Sequence, residues 1–358
     1  MKTFRTYIRI LMLVPLLASC LKDEPFKRPY EGFQPVTRDD GWTVSTPEAE
    51  LMDRTLIDQA YRLAYTDDRF TMARSLLILR NGKLVAEAYP HDPGDIDRIA
   101  NIQSMTKSFT SIVAGIALKQ HLLDSVNQTL YSIYPEWFPE QSGKQEITVR
   151  HALTMTTGID FDNSEDTQTL YQTSGNSVEF VLSLPMIYDP GIVFHYHDGS
   201  PHLVSAAVQK RYGKPFSEFA DQYLFKPLGI TEWKWEAAHD GNTFGAFSLF
   251  LKPRDCARFG QLLLQNGIWN GQQVVDSSWI AEATQPLVNT SLSGAPYGYF
   301  FWIYPAYHGY AADGHGGQKI LVVPEKNLVI VYTAWGYTSG EFFDNFNELA
   351  DLIVKSCR

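Results

Sequence analysis

The chain has 358 residues, 44% of them hydrophobic, and a formal net charge of −10 at pH 7. A chain of this size can bury a substantial core, as one large domain or as two closely packed subdomains. An acidic chain without basic clusters binds nucleic acid poorly, so we expect no nucleic-acid partner. The three cysteines, at positions 20, 256 and 357, are too few and too widely spaced for a disulfide framework, so the core must hold the fold.

Residues 1–19 have the features of a secretory signal peptide. Basic residues at positions 2, 5 and 9 precede the apolar run 10–17, which is too short to span a bilayer. The run ends in Leu17-Ala18-Ser19-Cys20, which resembles the lipobox of bacterial lipoproteins, in which the cysteine becomes the lipidated first residue. This resemblance predicts a membrane-anchored lipoprotein, periplasmic or on the outer-membrane surface, with lipid on Cys20. Residues 20–45, rich in proline and charge, are expected to form the linker.

Residues 46–358 are expected to form the folded domain. Thr46 as N-cap and Pro47 at the first position predict a helix that continues towards residue 65. Two strand-like runs follow, 75–80 and 83–89. They are joined by Asn81-Gly82, a dipeptide typical of the tight turn of a hairpin.

Ser104-Met105-Thr106-Lys107 lies where a polar, irregular stretch is followed by the small apolar run 108–118. This change predicts a buried helix whose first turn carries Ser104 and Lys107 on one face. A serine hydroxyl is a weak nucleophile that needs a nearby base, and a buried lysine amine with a lowered pKa can be that base. The alternative reading of the tetrapeptide is a capping serine beside a surface lysine.

The middle of the chain, about 116–290, is expected to form a mostly helical lobe, with helices predicted over 149–157, 200–212, 215–224 and 253–266. Strand patterns return over 297–303, 319–323 and 328–332, before an amphipathic last helix. Strands at both ends with helices between them predict an α+β fold. Its single antiparallel sheet would be built from both termini and flanked by the terminal helices. A cleft should lie between sheet and lobe, where ligand sites often occur.

Two polar stretches could complete a site with Ser104. Tyr196-His197-Asp198 follows an Asp-Pro-Gly turn, and His315-Gly316-Gly317-Gln318 precedes a predicted strand. The order Ser-x-x-Lys, Tyr-x-Asp, His-Gly-Gly resembles the serine β-lactamase and penicillin-binding superfamily. It is most similar to the class C-like branch of esterases, D-aminopeptidases and 6-aminohexanoate-oligomer hydrolases. The resemblance covers about residues 46–358 and implies a β-lactamase-like fold and a serine hydrolase that cleaves an ester or amide.

The resemblance also implies roles for the residues of the three motifs. Ser104 would be the acylated nucleophile and Lys107 its partner. Tyr196 would bridge the two and could serve as general base. The backbone N–H groups of Ser104 and Gln318 would form the oxyanion hole.

His315 would fill the third-motif position, which is often a lysine in members that recognise penicillin. A histidine is largely neutral at pH 7, so we expect weaker pairing with a substrate carboxylate. Gly316 and Gly317 would contact the substrate, and Gly317 would let an edge strand approach it closely. The substrate would be a small molecule or a peptide-like compound, and no cofactor is implied.

Asp198 departs from the resemblance, because the third residue of the second motif is commonly asparagine. Two orientations are consistent with the sequence. If the Asp198 carboxylate faces Lys107, it favours the ammonium form, and the proton-accepting role passes to Tyr196. Otherwise Asp198 points away, organises the loop and contacts the substrate.

Three alternatives remain at this level. His195, His197, Asp198 and His202 are clustered, and His-x-His near an aspartate is a pattern found in zinc hydrolases. The metallo-β-lactamase pattern has one more residue between the second histidine and the aspartate, so we predict no metal. A β-lactamase or D,D-peptidase acting on β-lactams is the second alternative, and a non-catalytic binding or sensor protein on the same fold is the third.

Overall fold

The computed structural model describes residues 29–139, 143–290, 294–335 and 342–358. The predicted signal peptide, Cys20 and the first part of the predicted linker lie outside these residues. No helix in the described part of the chain is long and apolar enough to cross a membrane.

Eleven strands occur in the described residues: β1 (Ala73–Arg80), β2 (Lys83–Ala88), β3 (Ala100–Asn101), β4 (Lys234–Trp235), β5 (Leu249–Leu251), β6 (Ile268–Trp269), β7 (Gln272–Gln273), β8 (Trp302–Tyr304), β9 (Gly309–Gly314), β10 (Gln318–Val323) and β11 (Leu328–Ala334). Six of them form the main sheet in the order β2-β1-β11-β10-β9-β8, and every pair in it is antiparallel. Because β1 pairs with β11, the two ends of the chain meet in one sheet, as predicted.

The helices of the described residues are α1 (Arg54–Thr66), α2 (Thr106–Lys119), α3 (Val149–Leu153), α4 (Asp166–Gln172), α5 (Ser177–Ser183), α6 (Gly199–Tyr212), α7 (Phe216–Ala220), α8 (Lys226–Leu228), α9 (Pro253–Leu264), α10 (Ser277–Ala283) and α11 (Phe342–Ser356). A π-helical turn, Asp221–Phe225, joins α7 to α8, so the helix predicted over 215–224 is continued and distorted rather than ended. The prediction of strands at both ends and helices between them is confirmed.

The two faces of the sheet pack against different helices. One face, with Ile78, Leu321 and Ile330, forms a core with the terminal helices α1 and α11. The other face, with Leu77 and Ile320, packs against α2 and α9 and is continuous with the core of the helical lobe. The sheet and the lobe therefore share the core on this second face.

Three local predictions are wrong, each for a structural reason. The first helix begins at Arg54 rather than at Pro47, because Leu51 has a left-handed φ of 59° and Asp53 provides the N-cap to Thr55 N. Of the strand predicted over 297–303, only Trp302 and Ile303 join β8. Phe300 has φ 60°, and its N–H donates to the Leu153 carbonyl instead of to a neighbouring strand.

The third error concerns the strand that follows the third motif. We expected an edge strand here, whereas β10 lies inside the sheet between β9 and β11. The edge on this side of the sheet is β8. The strand predicted over 297–303 thus contributes the edge, although only through its last residues.

Candidate active site

Ser104 lies on a tight turn between β3 and α2. The residues Gln103–Met105 form a single 3₁₀ turn, and α2 follows directly. Gln103 has a left-handed φ of 52°, and its N–H donates to Asn101 Oδ1 at 2.8 Å. Non-glycine residues in this conformation cost on the order of 1–3 kcal/mol and are concentrated at functional sites. The strained turn holds the half-buried Ser104 side chain at the wall of a cavity.

Lys107 is almost completely buried, with 1% of its surface exposed. Its Nζ lies 2.7 Å from Ser104 Oγ, 2.7 Å from Asp198 Oδ1 and 3.1 Å from the Ala246 carbonyl oxygen. The i, i+3 spacing therefore brings the Ser104 and Lys107 side chains together across the first turn of α2, as the sequence predicts.

The charge state of Lys107 depends on two opposing effects. Burial acts to lower the pKa of the Lys107 amine, whereas the neighbouring Asp198 carboxylate and Tyr196 act to raise it. The raising effects prevail, and the pKa of Lys107 lies above its ordinary value. This direction favours the ammonium form of Lys107, which would donate to Ser104 Oγ, over the neutral amine that direct proton abstraction by lysine would need.

The Asp198 carboxylate faces Lys107, which is the first of the two orientations that the sequence left open. Oδ1 faces Lys107, and Oδ2 accepts a hydrogen bond of 2.8 Å from Thr167 Oγ1 on α4. The Asp198 N–H donates to Asn163 Oδ1 at 2.9 Å, and Asn163 Nδ2 donates to the Tyr196 carbonyl at 3.2 Å. Sequence reasoning missed Asn163 and Thr167, because nothing in their local sequence separates them from a polar surface loop.

Tyr196 contacts Lys107 and also lines the cavity. Lys107 Nζ lies 5.0 Å from the centroid of the Tyr196 ring, within range of a cation–π contact. The half-buried Tyr196 ring also packs against Trp302, at 5.7 Å between centroids, and Tyr297, at 6.2 Å. Tyr196 and Ser104 line the same cavity, so the first two motifs converge on one wall.

The third motif reaches Ser104 through backbone contacts. Gly314 ends β9 and pairs with Gln318 at the start of β10. A Cβ on Gly314 would lie 2.5 Å from the Ile102 carbonyl oxygen and 3.1 Å from Met105 N, so β9 packs directly against the turn that carries Ser104. Sequence reasoning did not single out Gly314, although the close approach requires a glycine there.

The other residues of the third motif form the turn between β9 and β10. His315 is exposed and lines the cavity. Gly316 and Gly317 have φ angles of 77° and 90°, which favour glycine. A Cβ on Gly317 would lie 3.0 Å from Ala334 Cβ in β11. The conformation of the turn and its packing on β11 therefore account for Gly317, in place of the edge-strand geometry that we expected.

The cavity beside Ser104 has a volume of about 600 Å³ and is mainly apolar. Its wall is formed by β8, the turn after it and the third motif, with Trp302, Ile303, Tyr304, Pro305, Ala306 and His315 among the lining residues. The Asp313 carboxylate also reaches this wall, but Oδ2 is 2.9 Å from Lys319 Nζ and accepts from the Tyr304 hydroxyl at 2.6 Å. No lysine or arginine is among the lining residues that the structure describes.

The histidines near the second motif have separate partners. His197 Nε2 lies 3.1 Å from Thr157 Oγ1 and 2.9 Å from Ser200 Oγ. His202 Nε2 lies 2.8 Å from Ser177 Oγ. In the described part of the chain no three histidine, cysteine or acidic side chains are grouped so that they could hold a metal ion. His197 and His202 thus have separate hydroxyl partners in the lobe core, and His195 Nδ1 lies 3.3 Å from the Ile159 carbonyl oxygen.

The fold and this arrangement of serine, lysine and tyrosine define a protein of the serine β-lactamase and penicillin-binding superfamily. The family model described as Beta-lactamase matches residues 67–354, so the chain belongs to this family. The predicted superfamily and β-lactamase-like fold are confirmed.

The proteins to which this chain is similar include a hydrolase, an esterase and a penicillin-binding protein homologue. The chain is 23% identical over 293 residues to a 6-aminohexanoate-dimer hydrolase of Paenarthrobacter ureafaciens. The matched region covers 76% of this chain and 68% of that protein. A family VIII carboxylesterase matches with a TM-score of 0.72 at 15% identity, covering 90% of this chain and 99% of its own. A penicillin-binding protein homologue of Pyrococcus abyssi matches with a TM-score of 0.65 at 17% identity, covering 80% and 74%. At these identities the structural matches establish the fold alone.

Proposed function

We propose that this chain is a serine hydrolase that cleaves an uncharged ester or amide through an acyl-enzyme on Ser104. The observation that carries the proposal is the contact of 2.7 Å between the buried Lys107 Nζ and Ser104 Oγ at the wall of an open cavity. The alternative interpretation of the tetrapeptide is a capping serine beside a surface lysine, and it would leave Lys107 exposed. The buried lysine, its counter-ion and the strained turn together are better explained by an activated nucleophile.

In the proposed reaction, Ser104 Oγ bonds to the substrate carbonyl carbon while its proton passes to the Lys107–Tyr196 pair. The carbonyl oxygen becomes an oxyanion, for which the N–H groups of Ser104 and Gln318 are the candidate donors. One such donor typically contributes about 3–4 kcal/mol to transition-state stabilisation. The proton then goes to the leaving alcohol or amine. In deacylation, water gives a proton to the Lys107–Tyr196 pair as its oxygen bonds to the acyl carbon. The pair returns that proton to Ser104 Oγ as the acyl–serine bond breaks.

The cavity supports an apolar, uncharged group on the substrate. Its aromatic wall around Trp302 and Tyr304 can bury such a group, whereas the Asp313 carboxylate is already paired with Lys319. A β-lactam carries a carboxylate, and the third-motif position offers His315 rather than a permanent cation. The ester or amide is therefore preferred to the β-lactamase or D,D-peptidase alternative. A carboxylesterase and a 6-aminohexanoate-dimer hydrolase are among the proteins to which the chain is similar.

Activity-based labelling tests the proposal and the alternative of a non-catalytic binding protein. A fluorophosphonate should modify Ser104, as located by peptide mass spectrometry, and Ser104→Ala should abolish both labelling and ester turnover. Ser111→Ala is the matched control, because Ser111 lies on the same helix with its hydroxyl buried and without a hydrogen-bond partner in the structure. Labelling at another serine, or full turnover in Ser104→Ala, would contradict the mechanism.

We also propose that the mature protein is lipidated at Cys20 and attached to a membrane, periplasmic or at the outer-membrane surface. The support is the sequence itself, in which basic residues, an apolar run and Leu17-Ala18-Ser19-Cys20 occur in register. The hydrolase would then act on substrates that reach that compartment.

A further inference from the structure

We propose that Asp198, held by Thr167, is a positioning residue that keeps Lys107 as an ammonium ion, so that Tyr196 receives the serine proton. This inference rests on the proposed function, in which Ser104 is the nucleophile. It gives a function to the aspartate at position 198, where asparagine is common. It also gives a function to Asn163 and Thr167, two residues of the lobe that belong to none of the three motifs.

Hydrogen-bond geometry alone allows either protonation state of Lys107. An ammonium group would donate to Ser104, Asp198 and the Ala246 carbonyl. A neutral amine could instead donate to Asp198 and Ala246 and accept from the Ser104 hydroxyl. The charge of Asp198 decides between the two states. Lys107 is the cation paired with Asp198 in the described residues, and Asp198 is 9% exposed. Neutralising Lys107 would leave a buried carboxylate without a counter-charge, which is costly.

Asp198 is also prevented from turning away from Lys107. Thr167 Oγ1 donates to Oδ2 at 2.8 Å, so the second carboxylate oxygen is engaged while the first faces the lysine. Asn163 fixes the backbone on both sides of the motif, because its side chain accepts from Asp198 N at 2.9 Å and donates to Tyr196 O at 3.2 Å. The carboxylate and the Tyr196 ring are thus held by the same lobe segment.

The other titratable groups around this centre contribute little net charge at neutral pH; they are His195, His197, Tyr297, Asp313, His315 and Lys319. Burial lowers the pKa of His197 to about 3, so it is neutral. Burial raises the pKa of Tyr297 well above its ordinary value, so it stays protonated. Asp313 and Lys319 form an ion pair of 2.9 Å and offset each other. His195 and His315 are partly or largely exposed, where solvent screens their influence. Asp198 is therefore the charge that sets the state of Lys107.

With Lys107 held as an ammonium, the proton balance of acylation becomes explicit. In the proposed reacting form Tyr196 is a phenolate and Lys107 is an ammonium ion. Ser104 Oγ forms its bond to the carbonyl carbon as the Ser104 proton moves to the Tyr196 phenolate oxygen. Tyr196 later gives this proton to the departing alkoxide or amine as the carbonyl–leaving-group bond breaks. Lys107 keeps its three protons throughout and stabilises the negative charge on the serine and tyrosine oxygens.

Replacing the carboxylate should change when this centre loses a proton. Asp198→Asn removes one negative charge beside Lys107 and Tyr196 and keeps the shape of the side chain. Without that charge the Lys107 ammonium loses its counter-ion. A Tyr196 phenolate is then stabilised more strongly by Lys107, because the lysine charge is no longer compensated by Asp198. Both effects favour deprotonation of the Lys107–Tyr196 pair. A charge at this distance shifts such equilibria by about 1–3 pH units. The acid limb of Ser104 acylation should therefore move to lower pH by at least about 1 unit.

The experiment compares wild type, Asp198→Asn and the control Thr167→Val, which keeps the carboxylate but removes the hydrogen bond to Oδ2. One readout is the pH dependence of the fluorophosphonate acylation rate at Ser104. The other is the NMR titration of the Lys107 side chain in lysine-labelled protein, assigned by its loss in Lys107→Met, which does not depend on catalysis.

A downward shift of both the acid limb and the Lys107 titration in Asp198→Asn is the result expected, with a smaller shift in the same direction in Thr167→Val, which loosens the carboxylate but keeps its charge. An unmoved acid limb and Lys107 titration in Asp198→Asn would overturn the inference. If wild type is not acylated at Ser104, the proposed function fails instead. In that case the Lys107 titration still decides whether Asp198 holds the ammonium.

Discussion

Gly314→Ala should slow Ser104 acylation through a displacement of the Ser104 turn. The added Cβ would lie 2.5 Å from the Ile102 carbonyl oxygen, whereas ordinary van der Waals contact begins at 3.4 Å. The turn that carries Ser104 must therefore move by about 0.9 Å relative to β9. A misplacement of about 1 Å can cost about 10²-fold in rate, or ~2.7 kcal/mol of transition-state stabilisation. The overpacking itself should lower the free energy of unfolding by about 1–3 kcal/mol.

The assay measures the rate of Ser104 labelling and the free energy of unfolding from denaturant titration for the same variants. Gly260→Ala is the matched control, because its Cβ would lie equally close, 2.5 Å, to Val329 Cγ1, but in the packing between α9 and the sheet. We expect a comparable loss of stability from both variants and a large loss of rate from Gly314→Ala alone. Labelling of Gly314→Ala at the wild-type rate, or an equal loss of rate in Gly260→Ala, would show that displacement of the Ser104 turn does not control acylation.

Three further predictions concern charge and location. His315→Lys should raise kcat/KM for a chromogenic cephalosporin relative to a p-nitrophenyl ester by about tenfold at pH 8, since a fixed cation there can pair with the substrate carboxylate; an unchanged ratio speaks against the charge argument. Lys319→Met should lower the free energy of unfolding by about 3–5 kcal/mol, because Asp313 is left as an unpaired buried carboxylate. Adding Asp313→Asn should restore part of that loss, and a Lys319→Met protein as stable as wild type would contradict the account. In cell fractionation, the Cys20→Ala protein should no longer be found in the membrane fraction. A soluble wild-type protein with an unmodified mature N-terminus would disprove lipidation.

The order of the elements and the residue types of the candidate site could be predicted from the sequence alone. Local patterns were sufficient for the β1–β2 hairpin, for α2 behind Ser104 and for the strands β10 and β11, because hairpin turns and hydrophobic periodicity act over a few residues. The i, i+3 spacing of Ser104 and Lys107 likewise needs only one helical turn. The resemblance then placed Tyr196 and the third motif near them before any distance was known.

Contacts between distant segments could not be predicted from the sequence, and only the folded chain shows them. Whether Asp198 faces Lys107 depends on Thr167, which reaches it from α4, and the sequence contains no local signal for that contact. The requirement for glycine at position 314 follows from the close packing of β9 against the Ser104 turn, which no local pattern indicates. The position of β10 inside the sheet and the irregular backbone at Phe300 also follow from long-range pairing, which overrides local strand preference. The residue types of the candidate site can therefore be predicted from the sequence. The charge state and the partners of each group depend on packing that only the folded chain defines.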